Sequence, residues 1–371
     1  MALTETYVDP AINGASGAGT SGDPYGDLQH ALDTMTRDGT NGDRINIKAG
    51  TDEVLTAAID LSTYGTPDVN APLVFQGYTS AAGDGGIGGI SGNGSYSVFG
   101  TTTIENLSFI DLHCHNSGSN PVLNLDRHII VLNCEIDNTT GDGIYFNAAG
   151  GALVENCYIH NIGDSGVHFQ AGGFVNSCYF QNGTNDFTYG IQVISSNATI
   201  TNCIFDLDGS STAMFITPFN AATFISNNTI YSSSGTGTGI DIDSSSDSVQ
   251  WIANNYIEGF SGVGGIGIDT GANDGLHLLN NKYYNNATHR VDGDIITDSG
   301  NGTVASSALT NPGAGDFSVG TDLKAGAYPT TFKGVATDQF LDIGAAQREE
   351  PAGGGGTTGR QGLHSIEAGA V

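Results

Sequence analysis

The sequence predicts an all-β fold, a single-stranded solenoid in which short coils stack along one axis. One observation is a six-residue phrase whose third position falls at residues 106, 133, 156, 177, 202, 227, 254 and 280. Seven steps cover 174 residues, which is about 25 residues per step and lies within the range of stacked repeats. The second observation is that this region shows strand periodicity and no helical periodicity.

Each repeat is predicted to contain three short strands. The phrase reads apolar-x-Asn-x-x-apolar, as in VLNCEI at 131–136 and VENCYI at 154–159. Its apolar residues alternate as in a strand but are interrupted at the Asn, which predicts a corner between two strands. A Gly-apolar-x-apolar phrase upstream, as in GIYF at 143–146, predicts the third strand. Such strands are too short to bury a face alone, so we expect parallel stacking at ~4.8 Å.

The corner position holds the same amide in almost every copy. An amide has both donors and an acceptor, so stacked copies can bond to the rungs above and below. We therefore predict an asparagine ladder, with Ser177 as the one interruption. Its members are Asn106, Asn133, Asn156, Asn202, Asn227, Asn254 and Asn280.

With these repeats and this column, the chain resembles the right-handed parallel β-helix proteins of the pectin-lyase-like class over roughly residues 41–347. The resemblance implies a single-stranded right-handed parallel β-helix with a capping helix at its start and an extension at its end. It implies no one activity, because that fold serves lyases, hydrolases, adhesins, tailspikes and inert scaffolds. Phage and viral structural proteins are among those that use it.

The chain is predicted to divide into four segments. Residues 1–40 form an entry strand and a capping helix near 26–37, and residues 41–300 form the β-helix. Residues 301–350 are a closing segment that covers the far end of the solenoid. Residues 351–371 are a Gly-rich linker and a docking tail. The apolar residues expected to dock are Leu363, Ile366 and Val371.

The charge of the chain excludes one class of partner. Lys and Arg total 10 against 39 Asp and Glu, for a formal net charge of −29. Nucleic acid binding needs a cationic surface, and residues 128–281 contain no Lys or Arg. Polyanionic glycans would also be repelled unless divalent ions intervened.

The sequence shows no signal peptide and no membrane span, so we expect a protein made in a host cytoplasm and located in the virion.

The cysteines are predicted to be structural. Cys134, Cys157, Cys178 and Cys203 occupy one column just after the corner, and amides continue it at Asn228, Asn255 and Asn281. Parallel inward side chains do not form disulfides, and a line of four cannot enclose a tetrahedral zinc ion. His113 and His115 flank Cys114 and share a strand face. They could bind a metal, but no fourth ligand is evident, so the structural interpretation is favoured.

The outward residues of the Gly-apolar-x-apolar strands are the candidate functional surface. Tyr145, His168, Gln192 and Phe215 are predicted to face a ligand or a partner. Asp241, Asp243 and Asp269 would cluster on adjacent rungs, as the carboxylate pair of a glycosidase must. The Asn-Thr-Asp, Gly-His-Gly and Arg-x-Lys motifs of the fold's polygalacturonases are absent. A solvated or partner-facing surface is therefore favoured over catalysis.

Asp142, Asp164 and Asp186 precede the same strands at 22-residue intervals. They could bind calcium between rungs, or cap the local backbone as Asp does in many turns. The capping interpretation is favoured, and no cofactor is required, with calcium left open.

The leading functional hypothesis is a non-enzymatic virion structural protein, a phage capsid decoration or cement protein that stabilises or coats the shell. Its expected partners are the major capsid protein or another virion protein, and the expected oligomer is a homotrimer. One alternative is a tailspike-type polysaccharide depolymerase or glycan-binding spike, acting as a glycoside hydrolase or polysaccharide lyase if it is an enzyme. Another is an extracellular adhesin, which needs an export route.

Overall fold

The computed structural model describes residues 3–319 except 13, 15, 62, 101–104, 149, 195–196, 218–221, 234, 244–248, 272–274 and 292–294. Within these residues the chain is a right-handed parallel β-helix, as predicted, with three parallel sheets that run the length of the solenoid. No helix in this part of the chain is long and apolar enough to cross a membrane. The predicted docking residues Leu363, Ile366 and Val371 lie outside the described residues.

Within one coil the chain passes through three sheets, which are numbered in that order. The first sheet contains Thr4–Val8, Asp43–Lys48, Leu73–Tyr78, Leu107–Ile110, Ile130–Leu132, Ala152–Glu155, Gly173–Asn176, Ala198–Thr201, Thr223–Ser226, Gln250–Ala253, Leu276–Leu279 and Ile295–Ser299. The second contains Glu53–Val54, Gly88–Ser91, Leu112–Gly118, Glu135–Thr139, Tyr158–Ile162, Tyr179–Gln181, Ile204–Leu207, Thr229–Ser232, Tyr256–Glu258, Lys282–Tyr284 and Gly302–Thr303. The third contains Phe99–Gly100, Leu123–Leu125, Ile144–Phe146, Ser165–Phe169, Tyr189–Ile194, Thr212–Thr217, Thr238–Ile242, Ile266–Asp269 and Thr288–Val291.

The corner between the first and second sheets is a single residue in the left-handed backbone region. Asn133 has φ 54°, Asn156 has φ 53° and Asn280 has φ 56°, and Asn202, Asn227 and Asn254 share this conformation. Asn tolerates that region better than other residues with a side chain, because its short amide bonds locally. The column is therefore selected by backbone conformation as well as by side-chain bonding. Within it, Asn280 Nδ2 donates to Asn254 Oδ1 at 3.2 Å.

The prediction for Asn106 was wrong, because this residue belongs to a different corner. Strand pairing places Phe109 beside Val131, so the residue in register with Asn133 is Asp111. Asp111 has the left-handed φ of 55°, and its Oδ1 accepts a hydrogen bond from Asn133 Nδ2 at 3.1 Å. Asn106 precedes its first-sheet strand, in register with His128 on the next rung. The sequence FIDLHC at 109–114 is thus a copy of the phrase with Asp in place of Asn.

The column just after the corner forms a buried polar chain through the second half of the solenoid. Asn228 Nδ2 donates to Asn255 Oδ1 at 3.0 Å, and Asn255 Nδ2 donates to Asn281 Oδ1 at 2.9 Å. The second amide hydrogen of Asn255 goes to the Ile225 carbonyl, and its Oδ1 also accepts the Asn228 backbone N–H. Each buried amide is thus satisfied by neighbouring rungs, as a buried polar group requires.

The first half of the same column is filled by thiols, as predicted. All five cysteines are buried and free, and none forms a disulfide. Cys157 Sγ lies 3.6 Å from the Val131 carbonyl and 3.3 Å from the Glu155 carbonyl, so it acts as a small buried group with a weak donor. Burial raises the pKa of Cys134, Cys157 and Cys178 well above the ordinary thiol value. These thiols are therefore inert core groups.

An α-helix over Leu28–Thr34 lies at the start of the solenoid, shorter than the predicted 26–37. Asp27 caps it by accepting from His30 N at 2.6 Å, and Met35 is already extended. Leu28, Ala31 and Leu32 are fully buried in the same apolar core as the first coils. The helix therefore covers apolar side chains that the first rung would otherwise expose.

Within the predicted closing segment, Gly302–Thr303 still belongs to the second sheet, and Leu309–Asn311 and Asp316–Val319 lie against a side of the solenoid. Leu309–Asn311 and Asp316–Val319 form an antiparallel pair, joined by a 3-10 turn at Pro312–Ala314. Phe317 contacts the rings of Tyr179 and Tyr231, with centroids at 6.0 and 5.9 Å. Both tyrosines project from the outer face of the second sheet, and Phe317 is buried by them because they form a ready apolar surface there.

Ser177 offers a test of the corner conformation. It holds φ 54° with a side chain that lacks the amide of its neighbours in the column. We expect Ser177→Asn to raise the free energy of unfolding by about 0.5–1 kcal/mol, because left-handed backbone costs most residues about 1–2 kcal/mol and Asn less. Ser177→Val should lower it by more than about 1 kcal/mol. Thermal unfolding of the three proteins measures both, and a less stable Asn variant would contradict the argument.

Candidate functional site

The outer face of the third sheet presents the predicted candidate residues in one row. Strand pairing puts Tyr145 beside His168, His168 beside Gln192, and Gln192 beside Phe215. The row continues through Asp241 to Asp269. The structure therefore brings together the residues that the repeat pattern had assigned to this face.

The upper part of this row is held by hydrogen bonds within the protein. His168 Nδ1 lies 3.2 Å from Asp142 Oδ2, and its Nε2 lies 3.2 Å from Gln170 Nε2. Tyr145 packs edge-on against the His168 ring at 4.8 Å between centroids. Because both ring nitrogens are engaged, His168 is built here as a positioned structural group and not as an available base.

The lower part of the row combines an aromatic pair with carboxylates. Tyr189 and Phe215 stack with centroids 4.7 Å apart, and Phe215 pairs with Asp241 on the next rung. Burial, and then the charges of Asp269 and Asp243, raise the pKa of Asp241 to about 6. Asp241 and Asp269 lie on adjacent rungs, so their backbones are about 4.8 Å apart. A carboxyl with its pKa raised to about 6 beside a second carboxyl is the kind of pair that acid–base catalysis uses.

The three turn aspartates do not form a single column. Strand pairing aligns Asp142 with Ser165, one residue beyond Asp164, and Asp142 Oδ1 accepts the Ser165 backbone N–H at 3.0 Å. Burial, and then the Asp142 charge, raise the pKa of Asp164. Asp186 aligns with neither of them. Asp142 thus bonds to the backbone of the next rung instead of capping its own turn. Among the described residues, no group of three metal ligands forms around these aspartates.

The outer face of the first sheet carries a mostly apolar stripe that was not predicted from the sequence. The stripe is one residue wide, and its members pair in register on successive rungs. Phe174 is 55% exposed, Phe224 47% and Ile130 39%. Trp251 and His277 stack face to face at 4.1 Å. From here on, "the stripe" denotes Ile130, Leu153, Phe174, Thr199, Phe224, Trp251 and His277.

The stripe contains no Asp, Glu, Lys or Arg, although the chain as a whole carries −29 charges. A recess of about 430 Å³ beside it is lined by Phe174, Phe224 and the glycines of neighbouring turns. Gly172 has to be glycine there, because a Cβ would lie 1.4 Å from the Asn197 carbonyl oxygen. The stripe and its recess are therefore an uncharged concave strip on an acidic protein.

A sequence signal for the stripe existed. Phe174 precedes Val175, Phe224 precedes Ile225 and Trp251 precedes Ile252. Two adjacent apolar residues in a strand point to opposite faces, so one of each pair has to face outward. The recurrence of that pair in three of the four repeats from Phe174 to Trp251 indicates exposed apolar side chains on one face.

Comparison with known proteins supports the fold. A family model described as "Right handed beta helix region" matches residues 87–205. The structure of pectate lyase Pel9A is similar with a TM-score of 0.57 and 12% sequence identity, covering 94% of this chain and 98% of that one. At this identity the similarity establishes a common fold and nothing about activity. No curated protein shows a significant sequence match.

Two further solved structures show weaker similarity. The A-module of the mannuronan C-5 epimerase AlgE6 from Azotobacter vinelandii has a TM-score of 0.38 and 15% identity, covering 81% of this chain and 100% of that one. Pectin methylesterase from carrot has a TM-score of 0.34 and 11% identity, covering 85% and 98%.

The pKa of Asp241 provides a test of the carboxylate pair. A carboxyl whose folded pKa is raised above 3.8 destabilises the fold progressively as pH rises from about 4 to about 6. Asp241→Asn should therefore reduce the loss of stability between pH 4 and pH 7, by on the order of 1 kcal/mol after solvent screening.

Asp269→Asn should lower the pKa of Asp241 more than Asp243→Asn does, because the charge of Asp269 has the larger effect on that pKa. NMR titration of labelled aspartate measures this, and an unchanged pKa in Asp269→Asn would contradict the coupling.

Proposed function

We propose that this right-handed parallel β-helix of the pectin-lyase-like class is a non-enzymatic structural protein of a virus particle. Its place would be on the shell, as a capsid decoration protein. The observation that carries the proposal is the stripe, with Phe174 and Phe224 about half exposed in the middle of it. Thr199 lies between these two rings in the stripe, and an exposed patch with several aromatic side chains marks an interaction surface.

The shape of the stripe favours a large protein partner. Six rung-to-rung steps of ~4.8 Å give it a length of roughly 29 Å. Aromatic residues are enriched at the centres of interfaces, while charged residues are depleted there, and the stripe shows both features. Nucleic acid is disfavoured as the partner, because residues 128–281 carry no Lys or Arg.

We take the partner to be the major capsid protein, and the decorating unit to be a homotrimer. The stripe has no Asp, Glu, Lys or Arg, so it can contact a partner protein without placing charged groups of this acidic chain against it. Proteins of this fold also serve as structural components, and the fold by itself implies no catalytic activity.

Binding to shells tests this proposal. We expect the purified chain to sediment with empty shells of the capsid protein from the same genome, and Phe174→Ser with Phe224→Ser to weaken binding at least tenfold, or about 1.4 kcal/mol. Val263→Ser is the matched control, because Val263 is 97% exposed and lies off the stripe. A chain that stays monomeric and does not bind shells would contradict the proposal.

A second candidate function is cleavage of a neutral or acetylated polysaccharide on the third sheet. It is favoured by the raised pKa of Asp241 beside Asp269, next to the stacked rings of Tyr189 and Phe215. The absence of Lys and Arg from residues 128–281 disfavours a uronate substrate such as pectate.

Release of reducing ends from such glycans tests the second candidate. Asp241→Asn should lower the rate at least 100-fold, because the pair would lose its protonated acid. The Phe174→Ser variant should keep the full rate, since the stripe is on another sheet. If the unmodified chain releases no reducing ends from any neutral glycan, the third-sheet face does not have this catalytic function.

A further inference from the structure

The outer face of the second sheet carries a cluster of imidazoles and carboxylates that neither proposed function uses. In the strand Leu112–Gly118, Cys114 is fully buried, so His113 and His115 on either side of it face outward. Their rings stack with centroids 4.4 Å apart. The sequence places these two residues on one face, near Asp111, and offers no fourth ligand.

The next two rungs supply the groups that the sequence could not locate. Strand pairing puts Glu135 beside His113 and Asp137 beside His115. On the rung after that, His160 pairs with Asp137 and Tyr158 pairs with Glu135. Three imidazoles and two carboxylates therefore converge from three successive strands of one sheet.

Asp137 lies at the centre of the cluster. Its Oδ1 is 3.0 Å from His113 Nε2, and its Oδ2 is 3.8 Å from His160 Nε2. The ligand atoms of His113, His115 and Asp137 all lie within 4.8 Å of one another, and so do those of Glu135, Asp137 and His160. Ligand atoms around one zinc ion are roughly 3.3 Å apart, so a small rotation of the side chains closes either set.

The two sets differ in the ligand atoms that they offer. His160 Nε2 is bonded to Glu135 Oε1 at 3.0 Å, and the His160 ring is stacked on Tyr158 at 4.2 Å. His113 and His115 bring two ring nitrogens instead of one, and imidazole nitrogen favours zinc, cobalt, nickel and copper over calcium or magnesium. Asp52 Oδ2 lies 3.1 Å from His115 Nε2. A second carboxylate of this kind commonly orients a metal-bound imidazole.

We propose that His113, His115 and Asp137 form a binding site for one divalent transition-metal ion, which joins two adjacent rungs on the outer face of the second sheet. Glu135 and Asp52 add negative charge around the ion, and three protein ligands leave a coordination position open to water or to a donor from a partner. The site lies beside the surface that the C-terminal strands cover, because Tyr158 stacks on Tyr179 and Tyr179 contacts Phe317.

Binding of Zn²⁺ and Co²⁺ to the full chain tests the site. We expect one equivalent of Zn²⁺ by calorimetry, a visible absorption band with Co²⁺, and an unfolding temperature that rises with Zn²⁺ concentration. His113→Ala with His115→Ala should weaken binding at least 100-fold, and Asp137→Asn at least tenfold. Glu135→Gln should change it less than threefold.

His128→Asn is the matched control. His128 is an exposed histidine paired with a carboxylate, Glu105, at 3.1 Å, but it has no second imidazole beside it, and Asn tolerates its left-handed φ of 56°. This variant should bind Zn²⁺ like the unmodified chain. Absence of stoichiometric binding overturns the proposal, and so does binding that survives loss of His113 and His115 but disappears in His160→Ala.

Discussion

The single-residue corner between the first and second sheets is the constraint on which the rest of the structure depends. Side chains in a strand alternate between two faces, so the corner residue sets which residues of the next strand point inward. Asn133, Asn156 and their counterparts make this turn in one left-handed residue. An extra or missing residue at that point would move every following side chain to the opposite face. The outward rows on each sheet exist because the corner keeps this conformation on successive rungs from Asp111 to Gly300.

Two different chemistries fill the buried column behind that corner. Small buried thiols fill its first half, at Cys134, Cys157, Cys178 and Cys203. A hydrogen-bonded chain of amides fills its second half, at Asn228, Asn255 and Asn281. A buried amide left unpaired costs about 1–3 kcal/mol, so the amide half is stable only because each member meets another on the next rung. The thiol half has no such requirement. The two halves are therefore expected to respond differently to substitution in this column.

The three outer faces have separate characters, although one repeat generates them all. The third sheet collects carboxylates and an aromatic pair around Asp241, and the first sheet presents the uncharged stripe. The second sheet is divided between a surface covered by Phe317 and the histidine cluster around Asp137. The similarity to pectate lyase Pel9A concerns the path of the backbone. The proposed functions rest on these outer faces and on none of the inward residues.

The sequence alone determined the parallel β-helix, the position of the single-residue corners and the inward residues, because these depend on local pattern and on repetition. It did not determine which residues on different rungs meet. Steps of 22 residues from Asp111 and of 27 from Asn106 both fit a repeat whose other steps range from 21 to 27, so spacing could not choose between them. Only hydrogen-bonded register placed Asp111 under Asn133 and Asp137 beside His115. The path of Phe317 along the second sheet was likewise decided by tertiary packing, since its contacts with Tyr179 and Tyr231 are distant in sequence.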